Sequence, residues 1–277
     1  MRVLSVLLIV MSTMFSISCS KTAQNEQNET KSEKLSDNKI QKLEATLARD
    51  PRNIGPEKSK EQYQIEENIY KIDAVESQLY GYWVGAFGKN KINIALAYAS
   101  NDSIFGHSVC AGNFRPIKGT IKMVGENVFS INMIEPGDDK YDGEFKFTID
   151  INKEELTGSW KSYKNTVSSK EYKLKRRAYK YDSSLGDFTE ASTRYLEVPD
   201  VENMLPEEIE MIRNEIYARH GYSFKNLKIR RIFDAKEWYM PMAIDIRDQL
   251  TEMEAYNIDL LYNYEEYYAE YYDEYGR

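Results

Sequence analysis

Between about Leu79 and Arg177 apolar and polar positions alternate with a period of two. Ile92, Ile94, Leu96 and Tyr98 alternate with Lys91, Asn93, Ala95 and Ala97; Phe145, Phe147, Ile149 and Ile151 alternate with Glu144, Lys146, Thr148 and Asp150; Phe129, Ile131 and Met133 repeat the pattern. Alternation of this kind predicts strands with one buried and one wet face. Turn chemistry at Ser100-Asn-Asp, Gly125-Glu-Asn, Pro136-Gly-Asp-Asp and Asn152-Lys-Glu-Glu divides the region. Eight segments result, at about 79–87, 91–99, 102–110, 113–124, 127–134, 143–151, 155–163 and 168–177. A meander of eight short strands most easily removes its edges by closing into an antiparallel barrel; a two-sheet sandwich is the alternative.

The pattern differs on either side. Arg2 is the only charge before an apolar run from Val3 to Ile17, fifteen residues against the roughly 20 a membrane span needs, so residues 1–18 read as a secretion signal. Residues 19–75 read as an anchor and a disordered spacer, followed by a short helix with Ser36 as cap, Ile40, Leu43 and Leu47 as stripe and Pro51 as stop. The barrel is assigned to 76–180 and a linker to 181–203. From 204 to 277 the period is helical. Pro206 and two acids open one helix, Ile209, Ile212, Ile216 and Tyr217 form its stripe, and Gly221 ends it. A second helix is predicted around Leu227–Asp234, and a third begins at Thr251, whose Thr-x-x-Glu to Glu254 is a capping box. The fold class is therefore α+β multidomain: a barrel, then a small all-α domain.

Three resemblances sharpen this. Ser16-Ile-Ser-Cys19 resembles the lipobox of bacterial lipoproteins, with Ser16 where Leu is commonest; the resemblance implies an acylated Cys19 and membrane tethering, and Ser20 favours an outer membrane in Gram-negative cells. Leu79-Tyr-Gly-Tyr-Trp83 and Leu156-Thr-Gly-Ser-Trp160 share Leu-x-Gly-x-Trp, and the first copy resembles the opening of lipocalin-like and avidin-like barrels. That likeness implies Trp83 over the barrel floor with Arg176 on the last strand covering it, and strand alternation puts Arg177 in solvent. Arg213-Asn-Glu-Ile-Tyr-Ala-Arg-His-Gly221, continued by Tyr222-Ser-Phe224 and Trp238-Tyr239-x-Pro241, resembles the YARHG domain, an extracellular module of bacterial envelope proteins. Its motif positions here are Arg213, Asn214, Glu215, Tyr217, Ala218, Arg219, His220, Gly221, Trp238 and Tyr239. The resemblance implies export and envelope association, with no biochemical role attached.

Charge and chemistry add mainly exclusions. The net charge of −8 lies almost wholly beyond Thr251, where eight acids face Arg277 alone, and no surface suits a phosphate backbone, so nucleic acid is excluded as a partner. With Cys19 acylated, Cys110 has no disulfide partner. Asn214, Glu215, Arg219 and His220 cluster at a helix end. Glu215 and Arg219 can pair along the helix surface, and Glu215 with His220 could act as an acid–base pair. The stronger reading of the same residues is structural, satisfying helix-end carbonyls and locking the following turn. His107-x-x-Cys110 offers two ligands where zinc needs three or four, and Asp138, Asp139 and Asp142 lack EF-hand spacing, so neither metal nor cofactor is assigned. Tyr264, Tyr268, Tyr271 and Tyr275 would align on a terminal helix, packed on the body or facing a partner. The expectation is a non-enzymatic, lipid-anchored envelope protein. Its barrel would bind an envelope protein, a glycan or a small ligand; the alternative is an envelope hydrolase using Glu215 and His220.

Overall fold

Eight strands hydrogen-bond in chain order and the first returns to pair with the last, which closes the barrel and leaves no edge. They are β1 Gly81–Phe87, β2 Asn90–Ser100, β3 Ser103–Cys110, β4 Asn113–Gly125, β5 Val128–Ile134, β6 Gly143–Asp150, β7 Glu155–Ser162 and β8 Lys170–Arg177. The computed structural model describes residues 52–53, 55, 57–70, 79–100, 102–164 and 167–271. The signal segment, Cys19, the Ser36–Pro51 helix and Tyr275 lie outside the described residues. Those that are described belong to one compact unit.

Closure follows the alternation. Across the β1–β8 seam Trp83 stands opposite Arg176 and Gly85 opposite Leu174. The inward positions of all eight strands, among them Trp83, Ile94, Ile104, Ile117, Ile131, Phe147, Leu156 and Leu174, form one buried core. At roughly 2 kcal/mol per buried aliphatic or aromatic side chain, this packing is the main favourable term for the barrel. The tryptophans of the two Leu-x-Gly-x-Trp copies lie at opposite ends of the barrel. Trp83 lies near the start of β1, its indole N–H donating to the Leu79 carbonyl at 3.3 Å. Trp160 lies near the end of β7, so it reaches the opposite opening of the barrel.

Arg176 stands opposite Trp83 across the seam but bonds elsewhere. Its Nη2 donates to the Tyr80 carbonyl at 3.2 Å, and it flanks Gly81 without seating over the Trp83 ring. A planar guanidinium with five donors takes a carbonyl at the start of a strand ahead of a ring face. Arg177 is not simply solvated: its Nη1 donates to the Glu237 carbonyl at 3.1 Å, in the helical region.

A helix the sequence reading did not assign stands between the expected Ser36–Pro51 helix and the barrel. Helix α1, Lys60–Tyr70, buries Ile65 and Ile69, four residues apart, against the outer side of β2, β3 and β4. The ion pair Lys118–Glu61 at 2.6 Å pins it. Part of the outer face of the barrel is thus covered, and outward-facing Ala95 and Val109 are buried.

The helical region comprises α2 Val198–Val201, α3 Pro206–Arg219, α4 Leu227–Ala235 and α5 Glu252–Tyr271. Ile209, Ile212, Ile216 and Tyr217 of α3 pack with Ile229 and Phe233 of α4 and with Ile258 and Leu261 of α5. The stretch read as a linker joins this core through Ala191, Leu196 and Val201. Asn257 of α5 holds it there, accepting from the Leu196 N–H at 2.8 Å and donating to the Ala191 and Arg194 carbonyls at 2.9 and 2.8 Å. Tyr264 and Tyr268 of the terminal stripe pack on the same core, the Tyr268 hydroxyl donating to the Glu202 carbonyl at 3.2 Å.

Candidate functional site

The barrel is filled through its middle and open at one end. The opening lies among the β1–β2 and β3–β4 turns and the β5–β6 and β7–β8 loops, and it holds a cavity of about 290 Å³. Phe87, Phe145 and Trp160 wall it, with the Phe87 and Trp160 rings edge to face at 5.9 Å. Glu135 turns inward just past the end of β5. Trp160 Nε1 donates to one carboxylate oxygen at 3.0 Å and Ser108 Oγ to the other at 3.3 Å, while Arg115 Nε stands 4.0 Å away. Burial pushes the Glu135 carboxyl up; Arg115 and the two donors pull it back, and it settles at about 7. Arg115 is itself taken by Asp142, at 3.1 Å. Lys170 places its ammonium over both the Phe87 and the Trp160 ring, 4.5 and 4.4 Å from their centroids. Cys110 also lines the cavity, and burial raises its thiol to about 12, so it is a neutral wall group and not a thiolate.

A second polar constellation sits inside the helical region, at the end of α3. Arg219 and Glu215 pair at 2.6 Å with side chains wholly out of solvent, not along the helix surface. The other donors of Arg219 go to the Leu185 carbonyl at 2.7 Å and to Ser192 Oγ at 3.0 Å. Glu215 accepts from the Asp187 and Phe188 N–H groups at 3.0 and 2.7 Å. His220 Nε2 meets Glu254 at 2.9 Å, and its ring stacks on Tyr181 at 4.4 Å. Glu254 also accepts from Tyr181, Ser192 and Thr251, the last closing the capping box of α5. Burial pushes Glu254 up, but His220, Ser192 and Thr251 outweigh it and hold the carboxyl at about 2. Gly221 follows with φ +71°, and α3 ends in paired bonds from the Gly221 N–H to the Ala218 carbonyl and from the Tyr222 N–H to the Tyr217 carbonyl.

Tyr217-Ala-Arg-His-Gly221 is therefore one bonded unit: a buried helix end whose charges tie down the 185–192 segment and the start of α5. Residues 187–266 match the YARHG domain. No curated protein and no solved structure matches the chain.

The YARHG domain is docked on the barrel beside the cavity. Lys91 at the start of β2 donates its backbone N–H to Asp234 at 2.9 Å. Its ammonium donates to the Lys236 and Tyr239 carbonyls at 2.6 and 3.1 Å, capping the end of α4. Gly112, in the β3–β4 turn, donates to Ser223 Oγ at 2.9 Å. A Cβ on Gly112 would fall 2.8 Å from the Lys225 backbone, so only glycine lets the two parts meet. Through this docking the YARHG domain sends Arg230 to the cavity wall.

The structure sorts the sequence candidates. Glu215 and His220 are not brought together; each is committed to another partner and is 1 and 4 % exposed. Arg213 pairs with Glu265 at 2.8 and 3.0 Å, and Asn214 bonds the Glu210 carbonyl within its own helix. Tyr239 is buried, its hydroxyl donating to the Tyr222 carbonyl at 2.7 Å, and Trp238 packs edge to face on Phe233. His107 and Cys110 lie on opposite faces of β3; His107 stacks on Phe114 outside the barrel, and burial lowers its imidazole to about 4. In the 138–142 loop, Asp142 turns to Arg115 and to the Asp139 N–H. Among the described residues no three His, Cys, Asp or Glu side chains converge as metal ligands. Sequence reasoning missed Glu135, Arg115, Lys170 and Arg230. Only Trp160 carried a signal, through the repeated Leu-x-Gly-x-Trp.

Proposed function

We propose that this is a non-enzymatic, lipid-anchored protein of the bacterial cell envelope, whose barrel binds a ligand at its open mouth while the YARHG domain braces that mouth. The observation that carries the reading is the cavity itself: about 290 Å³, at the small end for ligand sites, with aromatic walls and a few inward-turned polar groups. The anchoring half rests on the apolar run Val3–Ile17 ending at Cys19. Three acyl chains, the number lipoproteins typically carry, exceed the two signals that stable membrane attachment requires. Changing Cys19 to Ala should abolish incorporation of radiolabelled palmitate and release the protein from membranes or block its processing. A Cys19→Ala variant as firmly membrane-bound as the wild type would refute the anchor. The hydrolase reading has no observation in its favour, since Glu215 is spent on Arg219 and His220 on Glu254.

A further inference from the structure

The cavity contains more cationic than anionic demand. Glu135 already has its two oxygens occupied by Trp160 and Ser108, and Arg115 is occupied by Asp142. Lys170 and Arg230 are different. Lys170 is only part-exposed, and its ammonium rests on two ring faces; among the described residues no carboxylate pairs with it. Among the described residues Arg230 donates only to main-chain oxygens, those of Lys225 at 3.0 Å and Phe224 at 3.5 Å. The nearby carboxylate of Asp234 is engaged by the Lys91 N–H, from the docking interface. Two cations thus border a partly desolvated space with aromatic walls, where an anion would find strong attraction and little competition from water.

We infer that the mouth takes a small organic anion, its charged group set between Lys170 of the barrel and Arg230 of the YARHG domain and its flat apolar body against Phe87, Phe145 and Trp160. The proposal rests on the ligand-binding reading above and narrows it to one chemical class. It also gives the YARHG domain a part in recognition: the site is incomplete in the barrel alone. A neutral ligand would add nothing to the partial counter-charges that Glu135 offers Lys170 and that Asp234, shared with Lys91, offers Arg230. A cationic one would add a further like charge that those carboxylates offset only in part.

The test is calorimetric titration of the full-length protein with three isosteric probes: 2-naphthoate, 2-naphthamide and 2-naphthylmethylammonium. Naphthoate should bind at least tenfold more tightly than either other probe. Lys170→Met should abolish that preference and Lys170→Arg should keep it, which separates loss of charge from loss of fold. Arg230→Gln, on the other side of the docking interface, should weaken naphthoate several-fold while leaving naphthamide unchanged. Equal or tighter binding of the amide or the ammonium probe would overturn the anion class and leave the mouth as a ligand site. Absence of binding by all three would overturn the ligand-binding reading as well. Naphthoate affinity unaffected by Arg230→Gln would remove the YARHG domain from the site.

Discussion

Gly221 provides the most direct test of how the helical unit is held. Its φ of +71° lies in the left-handed region, which costs an L-residue about 1–2 kcal/mol. Space is a second constraint. A Cβ at this position would lie 2.5 and 2.7 Å from Met242 Cγ and Cβ, and 3.0 Å from the Met240 carbonyl oxygen. Met242 cannot simply retreat, because its own N–H donates to the Gly221 carbonyl at 2.7 Å and Ala243 donates to the same oxygen at 3.1 Å. Overpacking a fixed site of this kind adds about 1–3 kcal/mol, so Gly221→Ala should destabilise by about 2–5 kcal/mol and Gly221→Val by more. Urea unfolding followed by far-UV circular dichroism and tryptophan fluorescence measures the change. Gly55→Ala is the control, since a Cβ there meets nothing within 4 Å, and it should move the midpoint little. A Gly221→Ala loss below 1 kcal/mol would show that the αL turn and the Met242 contact do not constrain the motif.

Three further outcomes follow from the buried charges. Glu135 titrates at about 7 in the fold against 4.5 ordinarily, so its contribution to stability is complete below pH 4.5 and falls as pH rises through 7, by about 3 kcal/mol. Glu135→Gln should flatten that decline when urea midpoints are compared at pH 4.5 and 8. Glu254 works in the opposite sense: held at about 2, it contributes stability above pH 4.5 that is lost as pH falls toward 2, and Glu254→Gln should remove most of this acid sensitivity. Arg219→Leu should cost about 3–5 kcal/mol by leaving Glu215 buried and uncompensated, whereas Arg219→Leu with Glu215→Leu should recover part of the loss. Strict additivity of the two changes in a double-mutant cycle would refute the pairing.

The strands were legible because alternation is a local property: one face must meet the core, and Phe145, Phe147 and Ile149 announce which one. Closure was legible from strand number, since a meander of eight leaves two edges unless they pair. The YARHG domain was legible from its string, yet the string did not reveal that Arg219 and Glu215 are buried, because an i,i+4 pair looks the same on a wet face as on a dry one. Helix α1 escaped notice because Ile65 and Ile69 are its only aliphatic residues amid Glu, Gln and Lys. Glu135, just before Pro136, has the look of a solvated turn residue, and only the three-dimensional placement of Trp160 and Ser108 gives it an inward role. Arg230 reaches the mouth through docking between two parts of the chain, which no local pattern encodes.

The path from barrel to YARHG domain is short: strand β8 ends at Arg177 and the matched domain begins at Asp187, leaving nine residues, 178–186, between them. Because Tyr181 and Leu185 already bond into the helical unit, only the few residues after Arg177 act as a tether, and they hold the domain near its docking face at an effective concentration in the millimolar range. The few contacts made by Lys91, Arg177 and Gly112 need only a modest intrinsic affinity to stay closed under those conditions. As separate chains the two parts would find each other poorly, and one proteolytic cut between Ala178 and Gly186 would turn a persistent association into a transient one.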